Sequence, residues 1–159
     1  MLRKPFILTM HELAEKDPRV LLIVGDVGFS FMEDFYKKYP TQFLNVGAAE
    51  QTMMGMAYGL SKAGWKPVVY TMINFICFRP YEQVRNDLCY QNANVKLFGV
   101  AGSTGYKFLG FSHNIEENED EMMLGHLPNM KTHYPKTEEE TRKVMLEEYE
   151  REGPSYTRI

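Results

Sequence analysis

The sequence predicts an α/β fold, a three-layer, doubly wound and mainly parallel sheet. Three observations carry that prediction. Short apolar runs alternate along the chain with stretches whose apolar residues recur at helical spacing. The run Val20–Val24 is apolar at every position, as in a strand covered on both faces. Breakers such as Asp17-Pro18, Pro40 and Gly64 separate the segments, and no repeat or low-complexity linker interrupts them. Strands alternating with helices imply crossover connections, and therefore parallel strands with helices on both faces.

Residues 5–16 place Phe6, Ile7, Met10, Leu13 and Ala14 on one helical face, and Asp17-Pro18 ends that helix. Val20–Val24 follows as the first strand. A short helix over 31–39 stops before Pro40. Residues 43–46 read as a strand, 49–63 as a helix closed by Gly64, 67–72 as a strand and 81–92 as a helix. Residues 95–100 read as a fourth strand, followed by a loop of small residues, 101–105. A charged amphipathic helix over 137–151 and a strand over 155–159 complete the set. The 159 residues suit one domain, 1–159, with one sizeable core.

The formal charge of −3 excludes an electrostatic case for nucleic acid or a membrane surface. No segment reaches the roughly 18 apolar residues that a spanning helix needs. The start, MLRKPFILTM, reads as no signal peptide, and Cys77 and Cys89 read as reduced core thiols, so a cytoplasmic location is expected. No cysteine pair has ligand spacing, and the acidic run 116–121 lacks paired Asp-x-Asp geometry. That run reads as a solvated face, and no metal site is expected in this chain. Met53, Met54 and Met56 on one helix suit either core filling or adaptable packing at an interface.

In a doubly wound sheet, ligands gather beyond the carboxyl ends of the strands. Asp26, Glu50, Phe75 and the Gly102 loop each follow a different expected strand, so they should share one edge. Glu50 follows Gly47, Ala48 and Ala49 and precedes the apolar Met53. An acid there is either a helix-start residue favoured by the helix dipole or a poorly solvated carboxyl able to share a proton. The helix-start reading is the plainer one from spacing alone. Phe75 and Phe78 suit core packing as well as a flat wall for a ligand, and Asn74 between them needs a polar partner. Gly102–Gly105 suits an anion loop or an ordinary one, and it is not a Walker motif. His113 lies on a loop past the same edge, where a functional and a structural role are equally open. His11, His126 and His133 show no ligand spacing.

Taken together, these segments resemble a known family. VGAAEQTMMGMAYGLSKAGWKPVVYTMINF resembles the pyrimidine-binding domain of transketolases and related thiamine-diphosphate enzymes, whose pattern is G-x-x-E-Q, a small-residue helix, then T-F-x-x-F. The stretch Arg79 to Arg85 resembles the family's R-x-x-[DE]-Q-I, Gly110 to His113 its G-x-S-H, and Leu127 to Met130 its I-P-N-M. The resemblance covers nearly the whole chain. It implies the thiamine-diphosphate-binding fold and a role for Glu50 in holding N1′ of the cofactor's aminopyrimidine, so that the cofactor can be activated. It implies that Phe75 packs on that ring, with Met72 and Phe78 flanking it and Asp26 on the same cofactor edge. It places His113 near the substrate carbonyl, as a group for proton transfer or hydrogen bonding. Arg3, Ser30 and Arg158 resemble, less closely, residues that hold the phosphate of a sugar phosphate, which arginine forks suit.

The departures from the pattern bear on function. The family's diphosphate and Mg²⁺ sit on a different domain with a Gly-Asp-Gly motif, which has no counterpart here. The resemblance therefore implies half an active site. A partner subunit would carry the diphosphate-binding domain, and this chain would form a homodimer within a 2+2 heterotetramer. Leu109 stands where many transketolases have an aspartate, and Ala101-Gly102 where some have His-Asp, which leaves the sugar substrate open. The implied reaction is two-carbon ketol transfer between sugar phosphates. The alternatives are a beta-type subunit of a 2-oxoacid decarboxylase or dehydrogenase and a non-catalytic assembly subunit, the last weakened by the presence of Glu50.

Overall fold

A computed structural model describes residues 2–100 and 107–159. Among these residues, six strands form one sheet in the order β2-β1-β3-β4-β6-β5, every neighbouring pair parallel. The strands are β1 (Val20–Val24), β2 (Phe43–Asn45), β3 (Lys66–Met72), β4 (Lys96–Val100), β5 (Lys131–His133) and β6 (Ser155–Arg158). The helices are α1 (Arg3–Lys16), α2 (Glu33–Lys38), α3 (Glu50–Lys62), α4 (Ile73–Cys77), α5 (Tyr81–Gln83), α6 (Glu119–Leu124) and α7 (Glu138–Glu150). The three-layer α/β architecture expected from the sequence is the one observed.

The two faces of the sheet explain why β1 is apolar throughout. Successive side chains of a strand point to opposite faces. Leu21 and Ile23 join Met53 and Ala57 of α3 and Ile73 and Ile76 of α4 in one core. Val20, Leu22 and Val24 join Phe6, Met10 and Leu13 of α1, Phe35 of α2 and Met145 of α7 in the other. Met53 and Met54 are fully buried in the chain's own core, whereas Met56 is exposed. The first two therefore do not serve an interface: their spacing turns them onto the sheet. At the centre of the sheet Gly99 permits close packing, since a Cβ there would lie 2.9 Å from the Tyr156 ring and 3.1 Å from Ile73.

The structure adds elements that periodicity does not reveal. The short helix α4 follows β3 without a break, α6 sits in the acidic run, and β5 is only three residues of polar sequence, KTH. The helix expected over 81–92 is one α turn, α5, continued as a π-helix over Val84–Cys89. The acidic run is not a solvated face throughout. Asp120 is fully buried, accepting a hydrogen bond from the Tyr156 hydroxyl at 2.6 Å and one from Arg158 Nη1 at 2.9 Å. Cys77 and Cys89 are free and buried, and burial pushes the Cys89 thiol up to about 12.

Two buried carboxylates tie the amino-terminal end of the sheet together. Asp17 accepts two hydrogen bonds from the Arg19 guanidinium, at 2.9 and 2.8 Å, and one from the Tyr149 hydroxyl at 3.0 Å. Glu148 meets His133 Nε2 at 2.9 Å, Lys96 Nζ at 3.4 Å and the Arg151 guanidinium. Burial lowers the Lys96 ammonium to about 8. Arg19 holds Asp17 well below its ordinary 3.8. Burial acts to raise Glu148, but His133, Arg151 and Lys96 outweigh it and hold the carboxyl below its ordinary 4.5. A depressed carboxyl contributes stability above its unfolded-state value, and that contribution is lost as pH falls below it. The melting temperature is therefore expected to decline progressively below about pH 4.5, and less steeply in Glu148→Gln. A melting temperature level down to about pH 2 would contradict this assignment.

Candidate active site

The carboxyl ends of β1, β2 and β3 open onto a cleft of about 390 Å³. Local sequence builds its floor. The Asn45 side chain at the end of β2 accepts hydrogen bonds from the backbone N–H groups of Asp26 and Gly47, both at 3.0 Å, and so ties two strand ends together. Gly47 takes a φ of 73°, a left-handed conformation that suits glycine, and Ala49 N–H bonds Gly47 carbonyl at 2.8 Å. This tight turn delivers Glu50 into the first turn of α3, where the helix dipole favours a carboxylate. Asp26 itself is held at a φ of 53°, uncommon for a residue with a side chain.

Glu50 is 6% exposed, and its Oε1 accepts a hydrogen bond of 2.7 Å from Arg79 Nη1. Phe75, on α4, is also buried, and the Arg79 guanidinium carbon stands 3.6 Å from the centroid of its ring. His113 meets Phe75 edge-on at 5.2 Å between ring centroids, and its Nδ1 lies 2.7 Å from Ser112 Oγ. The amide nitrogen of Asn74 finds partners, while its buried Oδ1 has none among the described residues. Its Nδ2 donates to the Phe111 carbonyl at 3.1 Å and to the Asn114 carbonyl at 2.6 Å, fastening the loop that carries His113. Asn74 is thus a positioning residue one step removed from the cleft.

The cleft gathers most of the residues singled out in the sequence. Glu50, Phe75, Met72, Asp26, His113 and Arg3 all line it, as does Leu109. Arg3 also places its guanidinium 5.2 Å from the Phe31 ring centroid. Three other residues are not among its walls. Phe78 is 40% exposed beyond Phe75. Ser30 follows the lining residue Phe29 in a left-handed turn with a φ of 59°. Arg158 is bound to Asp120 and lies 4.6 Å from the Tyr134 ring centroid. Ala101 and Gly102–Gly105 lie outside the described residues. Arg79 is a cleft residue that the sequence alone does not single out as part of a site. It opens the R-x-x-[DE]-Q-I-like stretch, but nothing in its spacing links it to an acid 29 positions away.

The site offers a buried carboxyl, an apolar ring face and a flanking imidazole at one strand edge. That set suits a flat, nitrogen-bearing heteroaromatic ring with a hydrogen-bonding edge. The guanidinium now on Phe75 and Glu50 is itself planar and nitrogen-rich, so the pair already accommodates such a group. Among the described residues, no three His, Cys, Asp or Glu side chains come together as metal ligands. Nor is any described helix long and apolar enough to cross a membrane.

The sequence model of the transketolase pyrimidine binding domain matches residues 1–159. The chain belongs to the transketolase family, through this domain. An apulose-4-phosphate transketolase subunit from Phocaeicola vulgatus is 35% identical over 158 residues, covering 99% of this chain and 50% of that protein. The 1-deoxy-D-xylulose-5-phosphate synthase of Halalkalibacterium halodurans is 34% identical over 153 residues, covering 93% of this chain and 23% of the synthase. Among solved structures, a split-gene transketolase described as an inactive beta4 tetramer superposes with a TM-score of 0.86 at 33% identity, over 99% of this chain and 50% of the other. The transketolase of Campylobacter jejuni has a TM-score of 0.82 over 99% of this chain and 25% of its own, and at 17% identity it speaks for the fold alone. This chain spans about half the length of the Phocaeicola vulgatus subunit and of the split-gene transketolase chain.

Proposed function

We propose that this chain supplies the aminopyrimidine half of a thiamine-diphosphate active site in a split transketolase, which transfers a two-carbon ketol unit between sugar phosphates. The observation that carries this reading is the convergence of Glu50 and Phe75, from separate strand ends, on one cleft. Phe75 and Met72 would hold the ring by apolar contact, and the Glu50 carboxyl would hold a proton at the ring's N1′ edge. When bound, thiamine diphosphate supplies a carbon nucleophile and an electron sink for attack on a substrate carbonyl. His113, against the edge of Phe75, would donate to or accept from the substrate oxygen. Arg3 at the cleft wall suits a sugar phosphate by charge-assisted hydrogen bonding. The diphosphate and Mg²⁺ would be held by a second subunit with its own binding domain. The names of the relatives support that division of labour, and a homodimer of this chain within a heterotetramer is its natural assembly.

A second reading is favoured by the apolar Leu109 in the cleft. In it the donor is a 2-oxoacid that loses CO₂ on the same cofactor. Product analysis with the reconstituted subunits separates the two. A ketose phosphate donor is expected to yield a chain-transferred sugar, while pyruvate releases no CO₂. The opposite pattern would replace the first reading by the second. The chain alone is expected to give no turnover with either donor.

A further inference from the structure

The cleft holds an occupant from its own chain. Arg79 stands between α4 and α5, its carbonyl held at 3.3 Å by Gln51 Nε2 and its neighbour the conformationally fixed Pro80. From that anchor its side chain reaches back to Glu50 Oε1 at 2.7 Å and covers the face of Phe75 at 3.6 Å. Those are the carboxyl and the aromatic ring that the proposed function assigns to the aminopyrimidine. A ring stacked on the same face of Phe75 and bonded to Glu50 would coincide with the guanidinium, so both cannot be present together. A buried carboxyl left without a partner is destabilising, and Arg79 removes that cost until a ligand arrives.

We propose that Arg79 is an internal stand-in for the aminopyrimidine, resting on Glu50 and Phe75 in the cofactor-free chain and displaced when the ring enters; this rests on the thiamine-diphosphate reading above. Arg79 then sets the affinity for the cofactor by competition, through one hydrogen-bonded ion pair and one cation–π contact. Its side chain is 42% exposed, so departure into solvent is open to it. Displacement carries the guanidinium out of the cleft without breaking a helix, because Arg79 belongs to the connection between α4 and α5.

The test titrates thiamine diphosphate calorimetrically into the reconstituted complex with Mg²⁺ present, and compares wild type, Arg79→Ala and Arg79→Lys. Arg79→Ala is expected to bind about tenfold more tightly, as loss of a competitor of this strength implies. Arg79→Lys, which keeps the charge but not the planar group, is expected to fall between the two. In the cofactor-free chain, a thermal-melt cycle of Arg79→Ala, Glu50→Ala, which removes the acceptor, and the double variant is expected to show non-additive losses. Unchanged or weaker binding by Arg79→Ala would overturn the stand-in while leaving the function intact, since Arg79 would then be a bystander or a cofactor ligand. Additive losses in the melt cycle would overturn it without reference to the cofactor. If wild type itself binds no thiamine diphosphate, the functional reading falls, and the stand-in with it.

Discussion

Replacing Glu50 with glutamine in the reconstituted enzyme is expected to leave the fold and the assembly intact and to lower turnover by at least about a hundredfold, to about ten-thousandfold. Glutamine has nearly the same shape, and its carbonyl oxygen can still accept the hydrogen bond that Arg79 Nη1 now makes at 2.7 Å. What the substitution removes is the ability to hold a proton at that position. The distinction matters because Glu50 has a sufficient structural reason to be where it is. It starts α3, it is 6% exposed, and it is ion-paired. A purely structural acid predicts a lowered melting temperature and near-normal kcat, whereas a proton-holding acid predicts the reverse. Measuring both on one preparation decides between them, and a kcat within about threefold of wild type would remove Glu50 from the mechanism.

How much of this was legible in the sequence depends on the distance over which each feature is decided. The strands with continuous apolar runs, Val20–Val24 above all, follow from local pattern, because burial on both faces forbids polar alternation. Glu50 and Phe75 were legible as site candidates for a topological reason: in a parallel sheet, whatever follows a strand lands on the ligand edge. Elements decided by tertiary context were not. The helix α4 continues the apolar run of β3, and nothing in M-I-N-F-I-C marks the change of period. The strand β5 pairs with β6 through backbone bonds that its polar residues do not advertise. Side-chain pairings across 29 or 38 positions, Arg79 with Glu50 and Arg158 with Asp120, leave no local trace at all. The carboxylates that matter most here are buried ones, and charge in a sequence reads as surface until its partner is known.

That is why Asp120 carries the largest expected effect on stability. Asp120→Ala is expected to cost about 3–5 kcal/mol, the loss that follows when one partner of a buried ionic network is removed. Two donors converge on this carboxylate: Tyr156 Oη at 2.6 Å and Arg158 Nη1 at 2.9 Å. Burial, with the negative charge of Asp120 adding to it, raises the Tyr156 phenol well above its ordinary 10.0, so its hydroxyl remains a donor throughout the working pH range. Tyr156 cannot turn to water, because it is fully buried against Gly99. Asp120→Asn keeps one acceptor oxygen and adds an amide that faces a donor, so its loss should be smaller but still present. Denaturant midpoints read the series, and a cost for Asp120→Ala below about 1 kcal/mol would place the network at the surface in energetic terms. The companion variant Arg158→Ala separates two roles for that guanidinium. Held by Asp120 and set over Tyr134, Arg158 acts on stability, so its loss should lower the melting temperature and leave the KM for a sugar phosphate unchanged. A raised KM with an unchanged melting temperature would instead return Arg158 to the phosphate end of the substrate.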